Sequence, residues 1–122
     1  MPRRWTKVSD APVLSGVQMV ADLESAGDFE KKHTPWIAIE AEGDRTRVTI
    51  ETGHHVPHPN QPDHYFQWIG LYAGEAPIAR SDLSPVATEP SVSFLVSLDP
   101  GTVVRALAHC NLHGIWAAEA VV

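Results

Sequence analysis

Turn-forming residues divide this chain into short segments, and this division limits the folds it can adopt. Ten prolines and eight glycines recur between short runs rich in β-branched and aromatic residues, over a length of 122 residues. Proline lacks a backbone donor and interrupts helices, and both residue types favour turns. Short runs at regular spacing are typical of antiparallel sheets. The pattern therefore predicts an all-β fold, an antiparallel sandwich of about seven strands.

Several runs can be assigned to particular strands. Residues 36–40 and 47–51 flank a turn at residues 42–44 that contains Gly43, and this arrangement predicts a hairpin. Further strands are predicted over residues 65–72, 91–96 and 103–107, and from Trp116 onward. Proline-rich stretches at 56–62 and 85–90 are interpreted as ordered loops between strands.

The N-terminal part of the chain carries a different pattern. Residues 1–15 are predicted to form an irregular leader, and apolar residues at Val17, Val20 and Leu23 predict a short amphipathic helix over residues 15–28. We expect a single domain over residues 1–122, with the leader at 1–29 and the sandwich at 30–122. A chain of this length buries a core without disulfides.

Charge and hydropathy exclude several classes of partner. The formal net charge is −6 with histidine neutral, and no cluster of Lys and Arg is large enough to bind a phosphate backbone, so we expect no nucleic acid. No apolar run approaches the length of a membrane span, so we expect no membrane association. No apolar signal core follows the basic N-terminus, and a lone cysteine suits a reducing compartment. These features predict a cytoplasmic location.

The lone cysteine, Cys110, is the residue with the most chemical potential. A single thiol forms no internal disulfide, so it is a buried apolar side chain, a nucleophile or a metal ligand. His113 follows three residues later, and histidines at 33, 58 and 64 lie in short segments, the first two beside prolines. Proline fixes φ and reduces the entropy lost when a loop closes on an ion. Together these residues favour a metal site.

The donor types restrict the metal. A structural zinc site needs four ligands and usually more thiolates. A blue-copper site needs a weak methionine ligand, whereas the methionines here, Met1 and Met19, lie far upstream of Cys110. Four imidazoles and one thiolate favour iron that cycles between two oxidation states. A non-catalytic electron-transfer metalloprotein (cupredoxin-like or iron) and a β-sandwich module with structural zinc remain the alternatives.

Three segments resemble the superoxide reductases of the single-iron neelaredoxin type, which are related to the catalytic domain of desulfoferrodoxin. The segments are Lys32-His33-Thr34-Pro35, then residues 58–60 with 64–71, then residues 110–116. Their order and spacing match the family across residues 30–116. The resemblance implies an immunoglobulin-like sandwich that carries a mononuclear non-haem iron (Fe²⁺/Fe³⁺) and reduces superoxide to hydrogen peroxide by one electron.

The resemblance also implies roles for individual residues. Cys110 is the axial ligand, its sulfur accepts hydrogen bonds from the backbone N–H groups that follow it, and Lys32 attracts superoxide, with Lys31 sharing that task. The equatorial ligands are His33, His58, His64 and His113. A rubredoxin-like protein is the implied electron donor, and a homodimer or homotetramer the implied assembly.

One departure from the family concerns the first motif. The family has Glu-Lys-His-x-Pro, with a glutamate able to occupy the sixth iron site, whereas Lys31 stands at that position here and Glu30 comes one residue earlier. Either a longer loop lets Glu30 reach the iron, or the carboxylate cap is missing or altered, and we expect the second. Trp68 and Trp116 are predicted to be core residues that wall the site. His54, His55 and His109 are expected on the surface or just behind the ligands.

Overall fold

The computed structural model describes residues 16–122 and folds them almost entirely into strands. In chain order the strands are β1 (Gln18–Met19), β2 (Trp36–Glu42), β3 (Arg45–Glu51), β4 (Phe66–Ala73), β5 (Ala76–Asp82), β6 (Ser91–Val96), β7 (Val103–Cys110) and β8 (Gly114–Val121). A 3₁₀ turn (Leu23–Ser25) and a short helix, α1 (Asp28–His33), precede β2. The predicted all-β fold is confirmed.

The strands form two sheets. One has five strands in the order β1-β8-β7-β4-β5, and the other has three in the order β2-β3-β6. Neighbouring strands are antiparallel except β1, which runs parallel to β8. The predicted hairpin is present as β2 and β3, with register from Trp36↔Glu51 to Glu42↔Arg45. Gly43 closes its turn at φ +65°, a conformation that favours glycine.

The hydrophobic core lies between the two sheets. Side chains of β3 alternate, so Val48 and Ile50 point inward and are fully buried. Burial of each such side chain contributes about 1.5–3 kcal/mol. Fully buried residues of the five-stranded sheet in the same cluster are Ile69, Leu71, Val104, Ala106, Ala108 and Cys110. This double layer is the rigid frame on which the loops of the site are built.

The N-terminal helix prediction is wrong in extent. Within residues 16–28, Gln18 and Met19 pair as a strand with Trp116 and Ala117, and α1 begins only at Asp28. Val17 packs onto a second apolar cluster on the outer face of the five-stranded sheet. Sheet pairing and packing therefore override a weak helical periodicity. The predicted irregular leader at residues 1–15 lies outside the described residues.

Strand β5 is absent from the predicted set. It carries Pro77, which normally argues against a strand because proline cannot donate to the ladder. Here β5 is an edge strand, where a missing donor is tolerated. No helix in residues 16–122 has the length and apolar character needed to cross a bilayer.

Candidate metal centre

Four side chains converge at one end of the sandwich, from three separate parts of the chain. The donor atoms of His33, His58, His64 and Cys110 all lie within 4.8 Å of one another. His33 ends α1, Cys110 ends β7, and the other two histidines lie in the connection between β3 and β4. His33 and Cys110 are fully buried. A thiol and three imidazoles this close are a set of metal-ligand donors.

His113 faces the same point from the turn between β7 and β8. Its Nδ1 lies 3.1 Å from His33 Nε2 and 3.7 Å from Cys110 Sγ. Its backbone carbonyl accepts hydrogen bonds from Gln18 Nε2 at 2.9 Å and from Trp116 Nε1 at 3.1 Å. Strand β1, unrecognised in the sequence, therefore helps to hold this fifth predicted ligand.

Hydrogen bonds orient two of the imidazoles for metal binding. His33 Nδ1 lies 2.7 Å from the Phe29 carbonyl oxygen, and His58 Nδ1 lies 2.7 Å from the Pro59 carbonyl oxygen. A ring N–H that donates to a carbonyl leaves the other nitrogen with its lone pair, and that Nε2 faces the centre in both rings. His58 Nε2, for example, is 3.6 Å from Cys110 Sγ.

His64 contributes an unsatisfied nitrogen. Its Nε2 is buried and has no hydrogen-bond partner. A buried polar atom left without a partner costs free energy, so such atoms are rare in folded proteins unless a ligand or an ion satisfies them. A metal ion at the convergence of these donors removes that cost. On this test the residues present fit a bound metal.

Burial and a nearby positive charge favour the neutral form of three of these histidines. Burial lowers the pKa of His33 and His64, and it lowers the pKa of His58 to about 4. The positive charge of Lys32 lowers the pKa of all three further. Since a metal ligand must carry a free lone pair, neutral imidazoles at pH 7 are ready to bind.

Aromatic rings enclose the imidazoles. Trp116 stacks on His33 with 5.0 Å between ring centroids and an interplanar angle of 18°. Phe29 lies 4.7 Å from His33 and 5.0 Å from His113. Phe66 lies 4.4 Å from His58. The prediction for Trp116 is confirmed, whereas Phe29 and Phe66 were not singled out from the sequence, because nothing in their local pattern distinguishes them from core residues.

Trp68 is buried in the core as predicted, but the prediction that it walls the site is wrong. It packs in the second apolar cluster with Tyr72, Leu107 and Ala117, and Arg80 lies 4.6 Å above its ring. Residues 66 and 68 share a face in a regular strand, but the pairing of β4 with β7 shifts register between them. That irregularity turns Phe66 toward the histidines and Trp68 to the opposite face.

The residues around the first motif have separate environments. Glu30 Oε1 accepts a hydrogen bond from the Gly27 N–H at 3.1 Å, so this carboxylate caps the start of α1. Lys32 acts electrostatically on the clustered histidines. The pKa of His55 is lowered mainly by burial, then by the neighbouring His54, and to a smaller extent by Lys31. Lys31 and His55 also line the same small cavity.

The Asn111 N–H has a different partner from the one expected. It donates to the Tyr65 carbonyl oxygen at 3.1 Å rather than to the Cys110 sulfur. The ring nitrogens of His58 and His113 lie 3.6 and 3.7 Å from that sulfur. The thiol therefore has imidazoles on one side, while it also belongs to the apolar core cluster.

The three unassigned histidines stand apart from the cluster. His54 stacks on Trp36 at 4.0 Å, and its Nδ1 lies 2.9 Å from Glu51 Oε1. His55 contacts His54 edge-on, and His109 packs beside Trp68. None belongs to the group of converging donors found in the described part of the chain.

Comparison with known proteins identifies similar chains. Residues 25–119 match the family model described as Desulfoferrodoxin. The chain is 36% identical over 111 residues to a superoxide reductase of Pyrococcus abyssi, which covers 83% of this chain and 96% of that protein. A putative superoxide reductase of Methanocaldococcus jannaschii is 38% identical over 104 residues, covering 80% and 87% of the two chains. The solved superoxide reductase of Nanoarchaeum equitans aligns with a TM-score of 0.69 and 34% identity, over 75% of this chain and 94% of that chain.

Proposed function

The chain belongs to the desulfoferrodoxin family, and from this premise we propose that it is a superoxide reductase with one non-haem iron at the candidate metal centre. The reaction combines superoxide with one electron and two protons to give hydrogen peroxide. The observation that carries the proposal is the convergence of a thiol and three imidazoles within 4.8 Å, at positions that match the family motifs.

The proposed ligand set contains five residues. Cys110, His33, His58, His64 and His113 would hold the iron. Support for His113 comes from its Nδ1, which faces His33 Nε2 and Cys110 Sγ at 3.1 and 3.7 Å. When bound, iron supplies one-electron chemistry by cycling between the ferrous and ferric states.

Side chains around the centre prepare it for an anionic substrate. Lys32 supplies positive charge beside the imidazoles on a molecule whose net charge is −6, so it draws superoxide toward the site locally. Trp116 and Phe66 cover the imidazoles and limit the access of water. We assign Glu30 to capping the start of α1, because its carboxylate accepts a hydrogen bond from the Gly27 N–H. This bond supports the expectation that the carboxylate at the sixth iron site is missing or altered in this chain.

The proposal extends to partners and location. A rubredoxin-like one-electron carrier would supply the electron for the reaction. Strand β6 is an edge of the three-stranded sheet and exposes Leu95, and these two features support assembly of a homodimer or homotetramer through that edge. Sedimentation of the Leu95→Glu variant, compared with the wild type, tests this contact. The single thiol, Cys110, suits the reducing cytoplasm.

A superoxide pulse onto anaerobically iron-loaded, reduced protein tests the function. The expected result is one hydrogen peroxide and one ferric centre for each superoxide, with no oxygen released. Cys110→Ser removes the thiolate and is expected to abolish the fast reaction, whereas His109→Gln, which changes an imidazole outside the cluster, preserves it. Bound iron with reversible redox chemistry and no fast reaction would instead establish the electron-transfer alternative.

A further inference from the structure

We propose that the side chain of Asn111 is a positioning residue that sets where the His64 imidazole stands relative to Cys110. The inference rests on the proposed function in one respect, namely that the clustered donors are a metal centre. It assigns a role to Asn111, which directly follows Cys110 in the sequence and is not among the converging donors. The side chain of Asn111 acts on the segment that carries His64.

Asn111 joins the two ligand-bearing segments by three hydrogen bonds. Its Oδ1 accepts from the Tyr65 N–H at 2.9 Å, and its Nδ2 donates to the Asp63 carbonyl oxygen at 3.0 Å. Its backbone N–H donates to the Tyr65 carbonyl oxygen at 3.1 Å. The two side-chain bonds flank His64 on both sides, while the backbone of Asn111 is bonded covalently to Cys110.

The place of Asn111 in the sheet explains why a side chain is needed. The ladder between β4 and β7 shifts register after Trp68 and reaches its last pair at Phe66↔Cys110. Beyond that pair no regular ladder continues toward His64. The side-chain amide of Asn111 supplies one acceptor and one donor, as a backbone peptide group does. It therefore continues the hydrogen bonding between the two segments beyond the end of the ladder, with one bond on each side of His64.

His64 depends on this support more than the other ligands do. The rings of His33 and His58 are fixed by their own hydrogen bonds to carbonyl oxygens, at 2.7 Å each. The His64 ring instead has a buried Nε2 without a hydrogen-bond partner in the described residues. Its location follows from its backbone, which forms a small closed turn through paired bonds between Gln61 and His64. Asn111 is what ties that turn to the cysteine.

Asn60 provides a matched control. Its side chain also makes a clamp of amide hydrogen bonds, to the backbone of Val86 at 2.8 Å and of Thr88 at 3.2 Å, two residues after a ligand histidine. That histidine, His58, has its ring fixed independently by the Pro59 carbonyl oxygen. Loss of the Asn60 clamp therefore removes comparable bonds without freeing an imidazole.

Titration of the metal-free chain with Co²⁺ tests the proposal without turnover. Affinity comes from the titration, and the thiolate-to-cobalt absorption and the ligand-field bands report the geometry at the ion. We expect Asn111→Ala to weaken Co²⁺ binding roughly 10- to 100-fold and to change the ligand-field bands. Asn111→Asp keeps the acceptor for the Tyr65 N–H and is expected to lose only several-fold. Asn60→Ala is expected to lower thermal stability with unchanged affinity and spectrum.

A double-mutant cycle with His64→Ala separates positioning from general destabilisation. If Asn111 acts through His64, Asn111→Ala changes Co²⁺ affinity less than about twofold once His64 is absent. An equal loss in both backgrounds, or an equal loss in Asn60→Ala, would overturn the proposal. If Asn111→Ala does not fold, the Asp variant carries the same cycle. If the wild type binds Co²⁺ tightly but its iron form does not react with superoxide, the proposed function is wrong and the role of Asn111 stands. If the wild type binds no Co²⁺, both proposals are wrong.

Discussion

At the scale of single residues, two adjacent lysines on α1 act on different histidines. Lys32 lowers the pKa of His33, His58 and His64, whereas Lys31 lowers the pKa of His55. Coulomb interactions weaken with distance and with exposure to solvent. The different histidines affected therefore indicate that the two lysines lie on different sides of α1. We propose that Lys32 is the residue that draws superoxide, because its charge acts on the clustered histidines.

Replacement of Lys32 by alanine tests this assignment. We expect Lys32→Ala to lower the second-order rate of the reaction with superoxide roughly three- to tenfold and to flatten its dependence on ionic strength, because a local positive charge is lost. Stopped-flow or pulse-radiolysis kinetics at several salt concentrations give both quantities. Lys31→Ala is the matched control, with unchanged rate and salt dependence. Equal effects of the two substitutions, or a loss of iron from the Lys32 variant, would contradict the assignment.

Burial of His58 predicts how the stability of the metal-free chain depends on pH. Its pKa is lowered from 6.5 to about 4, mainly by desolvation. Above pH 6.5 the imidazole is neutral in both states and has no effect. Between pH 6.5 and about 4 the unfolded chain binds the proton and the folded chain does not, so the free energy of unfolding falls as pH falls, by about 3 kcal/mol over the whole window.

Urea unfolding of the metal-free chain between pH 7.5 and 4.5 measures this slope. His58→Asn removes the titrating group, so its free energy of unfolding is expected to decrease less steeply over the same range. Residual slope in that variant reports the other histidines whose pKa values burial lowers, namely His33, His55, His64 and His109. Parallel curves for the variant and the wild type would show that His58 does not titrate as its burial implies.

At the scale of elements, one candidate ligand histidine, His58, depends on a glycine that admits close approach. Gly53 has φ +74°, and a Cβ built there would lie 3.1 Å from the backbone nitrogen of His58 and 3.4 Å from its Cβ. Such separations require the neighbouring backbone to move. Gly43 has φ +65° and open space around the same position, so it shares the conformation without the crowding.

This pair of glycines gives a matched test. We expect Gly53→Ala and Gly43→Ala each to destabilise the fold by about 1–2 kcal/mol, because alanine is strained at positive φ. Only Gly53→Ala is expected to weaken Co²⁺ binding as well, since it displaces His58. Thermal denaturation and metal titration of both variants distinguish the two effects. A weakened affinity in the Gly43 variant would show that turn strain alone reaches the centre.

The sequence predicts the elements of this fold better than it predicts their faces. Alternation and turn residues locate the β2–β3 hairpin and β6, because local pattern and tertiary pairing agree there. The faces of Phe66 and Trp68 depend on a register shift that leaves no local signature. Similarly, β1 forms because it finds β8 across the molecule, and that pairing is absent from any window of sequence.

The ligand candidates were predictable for a chemical reason. Thiol and imidazole donors are few in this chain, with one cysteine and seven histidines, so motif spacing leaves few combinations. What holds them was less predictable, because the supporting groups are common residues. Gln18 and Phe29 act through one side-chain amide and one backbone carbonyl, and their roles depend on contacts made only in the folded molecule.

At the scale of the whole molecule, the candidate centre connects the two sheets. His33 precedes β2 of the three-stranded sheet, and Cys110 ends β7 of the five-stranded sheet. The connection between β3 and β4, which carries two of the histidines, itself crosses from one sheet to the other. An ion bound here links both layers and the helix at one end of the sandwich. Metal binding is therefore coupled to folding, since the donors converge only in the folded chain.

Metal removal is expected to loosen this end of the sandwich and to leave the core intact. At a free metal concentration of 100 times Kd, binding stabilises the folded state by about 2.7 kcal/mol, which corresponds to roughly 10 °C in Tm for a chain of this size. Hydrogen exchange in the metal-free form should accelerate in segments 28–34, 53–65 and 110–114. Amides of Val48 and Ile50, fully buried between the sheets, should keep their protection.

Cys110→Ser gives the control for that experiment, because adding metal to this variant should restore little Tm or protection. Uniform acceleration over all strands would mean that the ion supports the entire fold, and unchanged exchange at the three segments would mean that the donors are held without it. The expected pattern lies between these limits. The core is built from alternating apolar residues and forms without the metal. At the end of the sandwich, neutral imidazoles and a thiol need an ion, because buried polar atoms such as His64 Nε2 have no other partner in residues 16–122.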